Sequence, residues 1–462
     1  MRIYDSRLKK KVELEPLIEG KISMYVCGPT VYDLGHLGHG RSAVAFDVIR
    51  RYFEYKDWDV NFVSNYTDID DKMIKRAAEE GITVPELADK IIPEYEADYG
   101  RLGIKPPTVQ PCATDHIEEM VGLIGDLEKA GLTYVLDDGV YFDIEKHEGY
   151  GDLSGQRLED LQPGSRVGIN EQKRSPYDFV LWKLKKEGEP FWPSPWGDGR
   201  PGWHIECSAM SAKHLGKTFD IHGGGRDLIF PHHECEMAQS CGAYGKDTFA
   251  KYWIHNGFIN IDNEKMSKSL DNFFTLRDIF VKYDPKVVRL MFMQTQYRNP
   301  INFSQVLLDQ AASALERIHN FLRLLDHVSA DGDMSENVAN LVADAKDRFE
   351  KCMDDDFDTS GALGSVFELV KELNILMSEG ELLFGDRGLV LDFLSQVDQV
   401  LGVILVEEKS GDMDDGVEAL IKEREEARLN KDFATSDRIR DELKEKGIEI
   451  EDTPNGTTWK KV

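Results

Sequence analysis

The stretch that most limits the possible folds is residues 22–63. Ile22-Ser-Met-Tyr-Val26 alternates and is rich in β-formers, and Gly28-Pro29 breaks it. Ala43 to Tyr55 then places apolar residues at 44, 45, 48, 49, 52 and 53, the spacing of one helix face, and a second short apolar strand, Val60 to Val63, follows. Strand, glycine-containing loop, helix and strand over about forty residues make a βαβ unit, whose right-handed crossover puts the loop at the carboxyl edge of a parallel sheet. Ligands bind at such edges, and the expected fold class is α/β.

Beyond about residue 113 the pattern changes. Tyr134 to Ile144 reads as a hairpin around Asp138-Gly139, and 145 to 175 is polar and turn-rich, so residues 114–200 are expected to be an insertion between a first half-domain at 1–113 and a second at 201–260. Glycine-, tryptophan- and histidine-rich sequence from 197 to 257 returns to α/β character. From Ser304 onward, apolar residues at 307, 311, 314, 315, 318, 322 and 325 describe an amphipathic helix, and helical periods continue to about 405. That divides the remainder into 261–303, a helical bundle at 304–406, a polar linker EEKSGDMDDG at 407–416, and a small unit dense in alternating charge at 417–462.

With 462 residues and a 41% hydrophobic fraction, the chain is long enough for about three domains with real cores. It starts MRIYDSRLKKK, without an apolar leader region, and nowhere do about 18 apolar residues run together, so a cytosolic protein with no membrane segment is expected. Six cysteines, at 27, 112, 207, 235, 241 and 352, lack a framework spacing; in a reducing compartment they read as metal-binding, catalytic or small buried residues rather than disulfides. The formal charge of -29 argues against an overall polyanion-binding surface, although a local basic face would suffice for nucleic acid.

Two short motifs could carry chemistry. In His36-Leu-Gly-His39, at the mouth of the first helix, backbone N–H groups attract phosphate, two imidazoles can donate to its oxygens, and Gly38 would let a nucleotide approach closely. The same residues can be read as surface histidines, or with Cys27 as metal ligands. Lys265-Met-Ser-Lys-Ser269 follows the strand-like Ile259-Asn-Ile-Asp, in a loop from which two ammonium groups can reach outward, though a solvated lysine turn has the same appearance. A third region, Pro231-His-His-Glu-Cys-Glu236, opens a helical pattern in which His232 and Glu236 at i, i+4 share a face, as helical metal ligands must. Spacing leaves the ligand set open: His204 and Cys207 are another i, i+3 pair, and His233, Cys235 or His222 could substitute.

In their order, the HLGH loop after the first strand and the KMSKS loop after a late one resemble the class I aminoacyl-tRNA synthetases. Within that class the chain is most similar to the cysteinyl-tRNA synthetase family, through YVCGPTVYD, TDIDDK, PGWHIECSAMS, DIHGGG, FPHHE, KMSKSL, MDDDFDT and the final DTPNGTTW. One departure is Asp271, where the family usually has glycine, which bears on the mobility of the KMSKS loop. The resemblance implies a Rossmann-like catalytic domain interrupted by a connective segment, a KMSKS and stem-contact region, a tRNA-binding helical bundle and a small anticodon-reading domain. It also implies one Zn(II) per chain on Cys27, Cys207, His232 and Glu236, so that Cys27 is a ligand and its neighbouring histidines are not.

The same resemblance implies ATP-dependent attachment of L-cysteine to cysteine tRNA by way of a cysteinyl adenylate. His36, His39, Lys265 and Lys268 would be catalytic, with Gly38, His36, His39 and Lys268 on ATP and its Mg(II), and Cys27, Thr67, Trp203 and His222 around the amino acid. Zinc explains selectivity, because it deprotonates a thiol whose free pKa is about 8.5 whereas a serine hydroxyl is a harder, weaker ligand. A direct coordinate bond can then discriminate by about 10⁴-fold, without an editing domain. Arg424, Arg428, Lys431, Arg438 and Arg440 are expected to read tRNA, against the alternative of an i, i+4 salt-bridged helix face. A monomer is implied. The rivals are a cysteine ligase acting on an amino sugar, which would lack the tRNA-reading end, and a catalytically silent tRNA-binding protein on the same fold.

Overall fold

The computed structural model describes residues 1–156, 172–261, 264–265, 274–405, 415–430, 432–446, 448–453 and 456–461. They fall into two compact units, one of residues 1–311 with 351–362 and the other of 312–350 with 363–462.

The first unit is organised by a four-stranded parallel sheet made of β1 (Lys21–Val26), β2 (Asp59–Ser64), β3 (Thr218–Gly225) and β4 (Phe249–Asn256), in the order β4-β3-β1-β2. The helix α1 (Leu37–Tyr55) joins β1 to β2; α2 (Trp203–Leu215) leads into β3, and α3 (Glu234–Tyr244) joins β3 to β4. Strand residues such as Met24, Tyr25, Ile221, Trp253 and Ile254 are fully buried, as expected for a parallel sheet covered on both faces. The chain leaves β1 toward one edge and later returns to fill the other, so the order reverses between β1 and β3. A crevice opens at that switch point, beyond the carboxyl ends of the strands.

The helix α1 starts at Leu37, ahead of the apolar period read from Ala43. The intervening residues include Gly38 and Gly40 and have little helical propensity of their own; a side-chain cap from His36 compensates, and periodicity cannot register it. Two buried arginines lock the helix. Arg41 donates to the carbonyls of Gly257 (3.1 Å), Tyr297 (3.2 Å) and Asn299, and Arg289 meets Asp47 at 2.6 Å. Both pairings leave the charges hydrogen-bonded in the interior, where an unmatched one would cost several kcal/mol.

Within the expected insertion, Thr133–Leu136, Gly139–Phe142, Phe179–Leu184 and Gly199–Pro201 form an antiparallel sheet, its hairpin turning at Asp137-Asp138. Further on, Ile259–Ile261 pairs parallel with Ile301–Phe303 and antiparallel with Glu264–Lys265. Lys265 therefore belongs to a short strand pair, which corrects the expectation of a loop position. Lys268 and Asp271 lie outside the described residues.

Helices Gln305–Asp326, Glu336–Asp354, Thr359–Glu379 and Asp386–Leu401 follow. In the first of them Leu308 and Phe321 are buried where the pattern pointed to residues 307 and 322. Each choice is between adjacent apolar residues, which the period alone does not separate. Residues 407–414 of the expected linker and Lys431 are outside the described set, and the helix Asp415–Leu429 already includes the linker's last two positions. That helix packs with Phe433–Glu445 and the hairpin Ile448–Thr453/Gly456–Lys461 around Ile421, Ile439, Leu443 and Ile448. Of the arginines expected on tRNA, Arg424 is buried, and Arg438 pairs with Glu423 (3.2 Å) and, at i, i+4, with Glu442 (3.4 Å). Among the described residues no helix is long and apolar enough to cross a membrane.

Candidate active site

The crevice at the carboxyl edge of the sheet has a volume of about 370 Å³, a size suited to small ligands. Cys27, His36, Gly38, His39, Thr67, Trp203, Cys207 and His232 all line it. Residues separated by up to about two hundred positions meet here because β1, β2 and α2 all deliver their ends to the switch point.

At one end, four donor groups converge. Cys27 follows β1, its N–H bonded to the Gly223 carbonyl of β3 at 3.1 Å. Its sulfur lies 3.5 Å from Cys207 Sγ on α2 and 3.4 Å from Glu236 Oε1 on α3. His232 Nε2, from the turn before α3, is 2.9 Å from the same Glu236 oxygen. The ligand atoms of Cys27, Cys207, His232 and Glu236 all lie within 4.8 Å of one another, and so do those of Cys27, His222, His233 and Glu236.

The protonation tendencies of the first set expose its strain. Burial opposes a charge on Cys207, yet hydrogen bonds from Cys27 and His232 outweigh it and bring that thiol down to about 6. Burial and then the neighbouring Cys207 and Glu236 push Cys27 well up. His232 rises to about 10, since the adjacent Glu236 and Cys207 overcome its desolvation. Glu236 is driven well below the usual carboxylate range by His222 and His232 despite burial. Two thiols and a carboxylate compete for protons in a buried space; a divalent cation resolves that competition, and the sulfur, nitrogen and oxygen donor set suits zinc.

The second set is less available. His222 is wholly buried, with Nδ1 3.1 Å from the Tyr25 carbonyl and Nε2 2.8 Å from Glu236 Oε2, and it does not line the crevice. His222, expected on the pocket wall, contacts the cluster through Glu236 Oε2 and so helps to orient that carboxylate. His233 bonds His255 at 2.8 Å, and burial, followed by neighbouring imidazoles, holds His233 well below the usual histidine range and His255 at about 3. His204 Nδ1 meets His232 Nδ1 at 2.9 Å, leaving His232 Nε2 directed at the cluster. Trp203 stacks on His232 with centroids 4.3 Å apart.

At the other end, His36 caps α1. Its Nδ1 accepts from the N–H groups of Gly38 (3.0 Å) and His39 (3.3 Å), and His39 Nδ1 accepts from the His36 N–H at 3.3 Å. The two rings stack 3.7 Å apart. The remaining amides of the first turn are also engaged, Leu37 with the Phe274 carbonyl and Gly40 with that of His36. The backbone N–H groups expected to meet phosphate are therefore already used within the protein. Because each Nδ1 accepts from the backbone, the proton of a neutral ring sits on Nε2, which makes Nε2–H the donor.

Thr67 is buried, donating to Glu206 at 2.9 Å and accepting from Asn65 at 3.2 Å. Three supporting residues were missed in the sequence. Asn65 accepts the Gly28 N–H at 3.0 Å, and a Cβ on Gly28 would come within 1.6 Å of the Asn65 carbonyl oxygen, so this close approach requires glycine. Glu206 is buried and pushed well above the usual carboxylate range by desolvation. The Tyr95 hydroxyl reaches His39 Nδ1 at 3.2 Å. Glu206 lies within the quoted PGWHIECSAMS and Asn65 two residues before TDIDDK, which is the one signal that could have found them; Tyr95 carries none.

Comparison with known proteins agrees with this geometry. Residues 13–313 match the family "tRNA synthetases class I (C) catalytic domain", 348–405 the DALR domain, and 410–459 the "Cysteinyl-tRNA ligase anticodon binding domain". The cysteine–tRNA ligase of Clostridioides difficile is 48% identical over 471 residues, covering 100% of both chains, and that of Oceanobacillus iheyensis is 48% identical over 468 residues, covering 100% of this chain and 99% of the relative. In fold, the chain is similar to Mycobacterium tuberculosis methionyl-tRNA synthetase in complex with methionyl-adenylate (TM-score 0.63, 15% identity, 83% of this chain and 91% of the other). It is likewise similar to Agrobacterium radiobacter LeuRS in a ternary complex (TM-score 0.62, 12% identity, 86% of each). A parallel sheet open at its switch point, a histidine-capped first helix and full-length likeness to these ligases lead to one assignment: the chain belongs to the cysteinyl-tRNA synthetase family of class I aminoacyl-tRNA synthetases.

Proposed function

We propose that the protein joins L-cysteine to cysteine tRNA in two steps. The cysteine carboxylate attacks the α-phosphate of ATP, which is bound with Mg(II), and pyrophosphate leaves. A ribose hydroxyl of the terminal adenosine then attacks the cysteinyl carbonyl, releasing AMP. The observation that carries this reading is the joining, in one crevice of about 370 Å³, of a sulfur-rich donor cluster with a pair of Nε2–H donors at a helix start.

Cys27, Cys207, His232 and Glu236 would hold zinc, which when bound keeps the substrate's sulfur as a thiolate and so favours cysteine over serine. His222 and His204 orient Glu236 and His232. Trp203 and Thr67 bound the space beside the cluster. His36 and His39 donate to the phosphate oxygens on which charge develops, and Lys265 and Lys268 neutralise the departing pyrophosphate. Such contacts act by positioning and charge stabilisation, the main resources of phosphoryl chemistry. Work in the cytosol as a monomer is part of the same reading.

Charging of cysteine tRNA with labelled cysteine, with zinc measured on the same sample, tests it. One zinc per chain and cysteine-dependent charging are expected; equal activation of serine and cysteine, or no cysteine-dependent pyrophosphate exchange, would overturn it.

A further inference from the structure

One lip of the crevice carries an ammonium group that neither the sulfur end nor the histidine pair uses. Lys72 lines the crevice and is exposed, and it is the second residue of the helix Asp71–Glu80 that follows edge strand β2. Its Nζ stands 5.3 Å from the centre of the Tyr32 ring, another residue of the crevice wall, an arrangement that directs the long side chain without consuming its hydrogen-bond donors. Among the described residues no carboxylate oxygen lies within 4.0 Å of this ammonium.

The two acids beside it are already committed. Asp70 accepts the Lys72 backbone N–H at 2.7 Å. Asp71 receives Lys183 at 2.6 Å and Arg200 at 2.5 Å, both from the antiparallel inserted sheet. This pairing ties the start of the helix to the insertion, and it neutralises the carboxylate that would otherwise compete for Lys72. In a chain with a formal charge of -29, a lysine facing the crevice in this way offers a local positive charge to an anionic ligand.

Lys72 and the histidine pair reach the crevice from different elements. His36 bridges to Thr275, on the side of the residues that follow β4, whereas Lys72 is on the side of edge strand β2 and the inserted sheet. An exposed cation on that lip suits a ligand that enters from solvent and carries a phosphate at every residue, and the acceptor end of tRNA is such a ligand. We propose that Lys72 holds a backbone phosphate of the single-stranded 3′ end of tRNA while the cysteinyl group is transferred. The inference rests on the two-step reading above and adds a residue whose effect belongs to the second step.

Lys72→Ala, Lys72→Arg and a control, Lys75→Ala, separate the possibilities; Lys75 is on the same helix and already faces Glu79 at 3.8 Å. Loss of one phosphate contact is expected to lower kcat/KM for tRNA in charging by about fivefold or more, and to reduce the salt dependence of that constant by about 0.7 in log–log slope. Cysteine-dependent pyrophosphate exchange without tRNA stays within twofold of the parent, Lys72→Arg recovers most of the charging, and Lys75→Ala changes neither assay. Equal loss in exchange and charging would assign Lys72 to adenylate formation and overturn the inference, as would charging by Lys72→Ala at the parental rate and salt slope. A parent protein without cysteine-dependent exchange would instead overturn the functional reading itself.

Discussion

The sulfur end of the crevice draws its donors from three separated segments, at 27, 207 and 232–236, whereas the two imidazoles at the phosphate end lie three residues apart at one helix start. Convergence of the first kind depends on the whole parallel sheet being in place. Its two sulfurs and its carboxylate are crowded together, largely buried, and supported from behind by His222 and His204. The second kind is local: the backbone that the histidines cap also fixes which nitrogen carries their proton. Damage to the sulfur end should therefore appear as lost metal and lost selectivity, and damage to the phosphate end as lost rate with metal content intact.

The largest effect belongs to metal removal. Chelation, or Cys207→Ser, is expected to collapse the preference for cysteine over serine from about 10⁴-fold toward the level that shape alone can give, roughly tenfold to a hundredfold. Pyrophosphate exchange run in parallel with each amino acid, with zinc assayed on the same protein, measures it. If full cysteine preference survives in metal-free protein, the two ends do not divide the work as argued.

At the phosphate end, His39→Ala is expected to slow exchange by about 10²–10³-fold while zinc content and cysteine selectivity hold. His36 has two duties, and two substitutions separate them. His36→Ala removes the cap at a cost of about 0.5–2 kcal/mol of stability as well as the donor. His36→Asn retains an acceptor for the Gly38 and His39 amides and should recover the stability, seen in Tm, without recovering the rate. Recovery of both would reduce His36 to a cap.

This contrast also explains what could be read in the sequence. The βαβ unit, the hairpin at 133–142 and the amphipathic helix at 305–326 follow from periods of 2 and 3.6, which any short window reveals. The start of α1 did not, because it relies on side-chain capping by His36 in a glycine-containing stretch. Spacing left the ligand set ambiguous, and the resemblance to a family selected four residues; the fold brings the ligand atoms of those four within 4.8 Å of one another, as it does those of a second set that includes His222. The role of His222 was illegible because it depends on which side of Glu236 it occupies, a fact about strand β3 beside α3. Tyr95, nearly sixty residues from His39, gave no local signal at all.

A smaller effect tests the support behind the cluster. His222→Asn keeps a polar side chain but shortens its reach to Glu236 Oε2, and is expected to weaken zinc affinity by about 10- to 100-fold, measured by competition with a chelator. At saturating zinc the cysteine preference should return. Unchanged affinity would mean that Glu236 is held by its other neighbours, and that the sulfur end depends less on long-range convergence than its geometry implies.

The smallest effect lies where substrate space and cluster meet. Trp203 stacks on His232 at 4.3 Å and lines the crevice, so its ring both steadies a donor and offers an apolar face to the amino acid. A pair of stacked rings contributes about 0.5–1.5 kcal/mol beyond burial, which corresponds to roughly a two- to tenfold change in binding. Trp203→Leu is accordingly expected to raise KM for cysteine by that factor in the exchange assay, with kcat and zinc content near the parent values. An unchanged KM with a reduced kcat would show instead that the indole acts on the transition state, and would move Trp203 from the sulfur end of the comparison to the phosphate end.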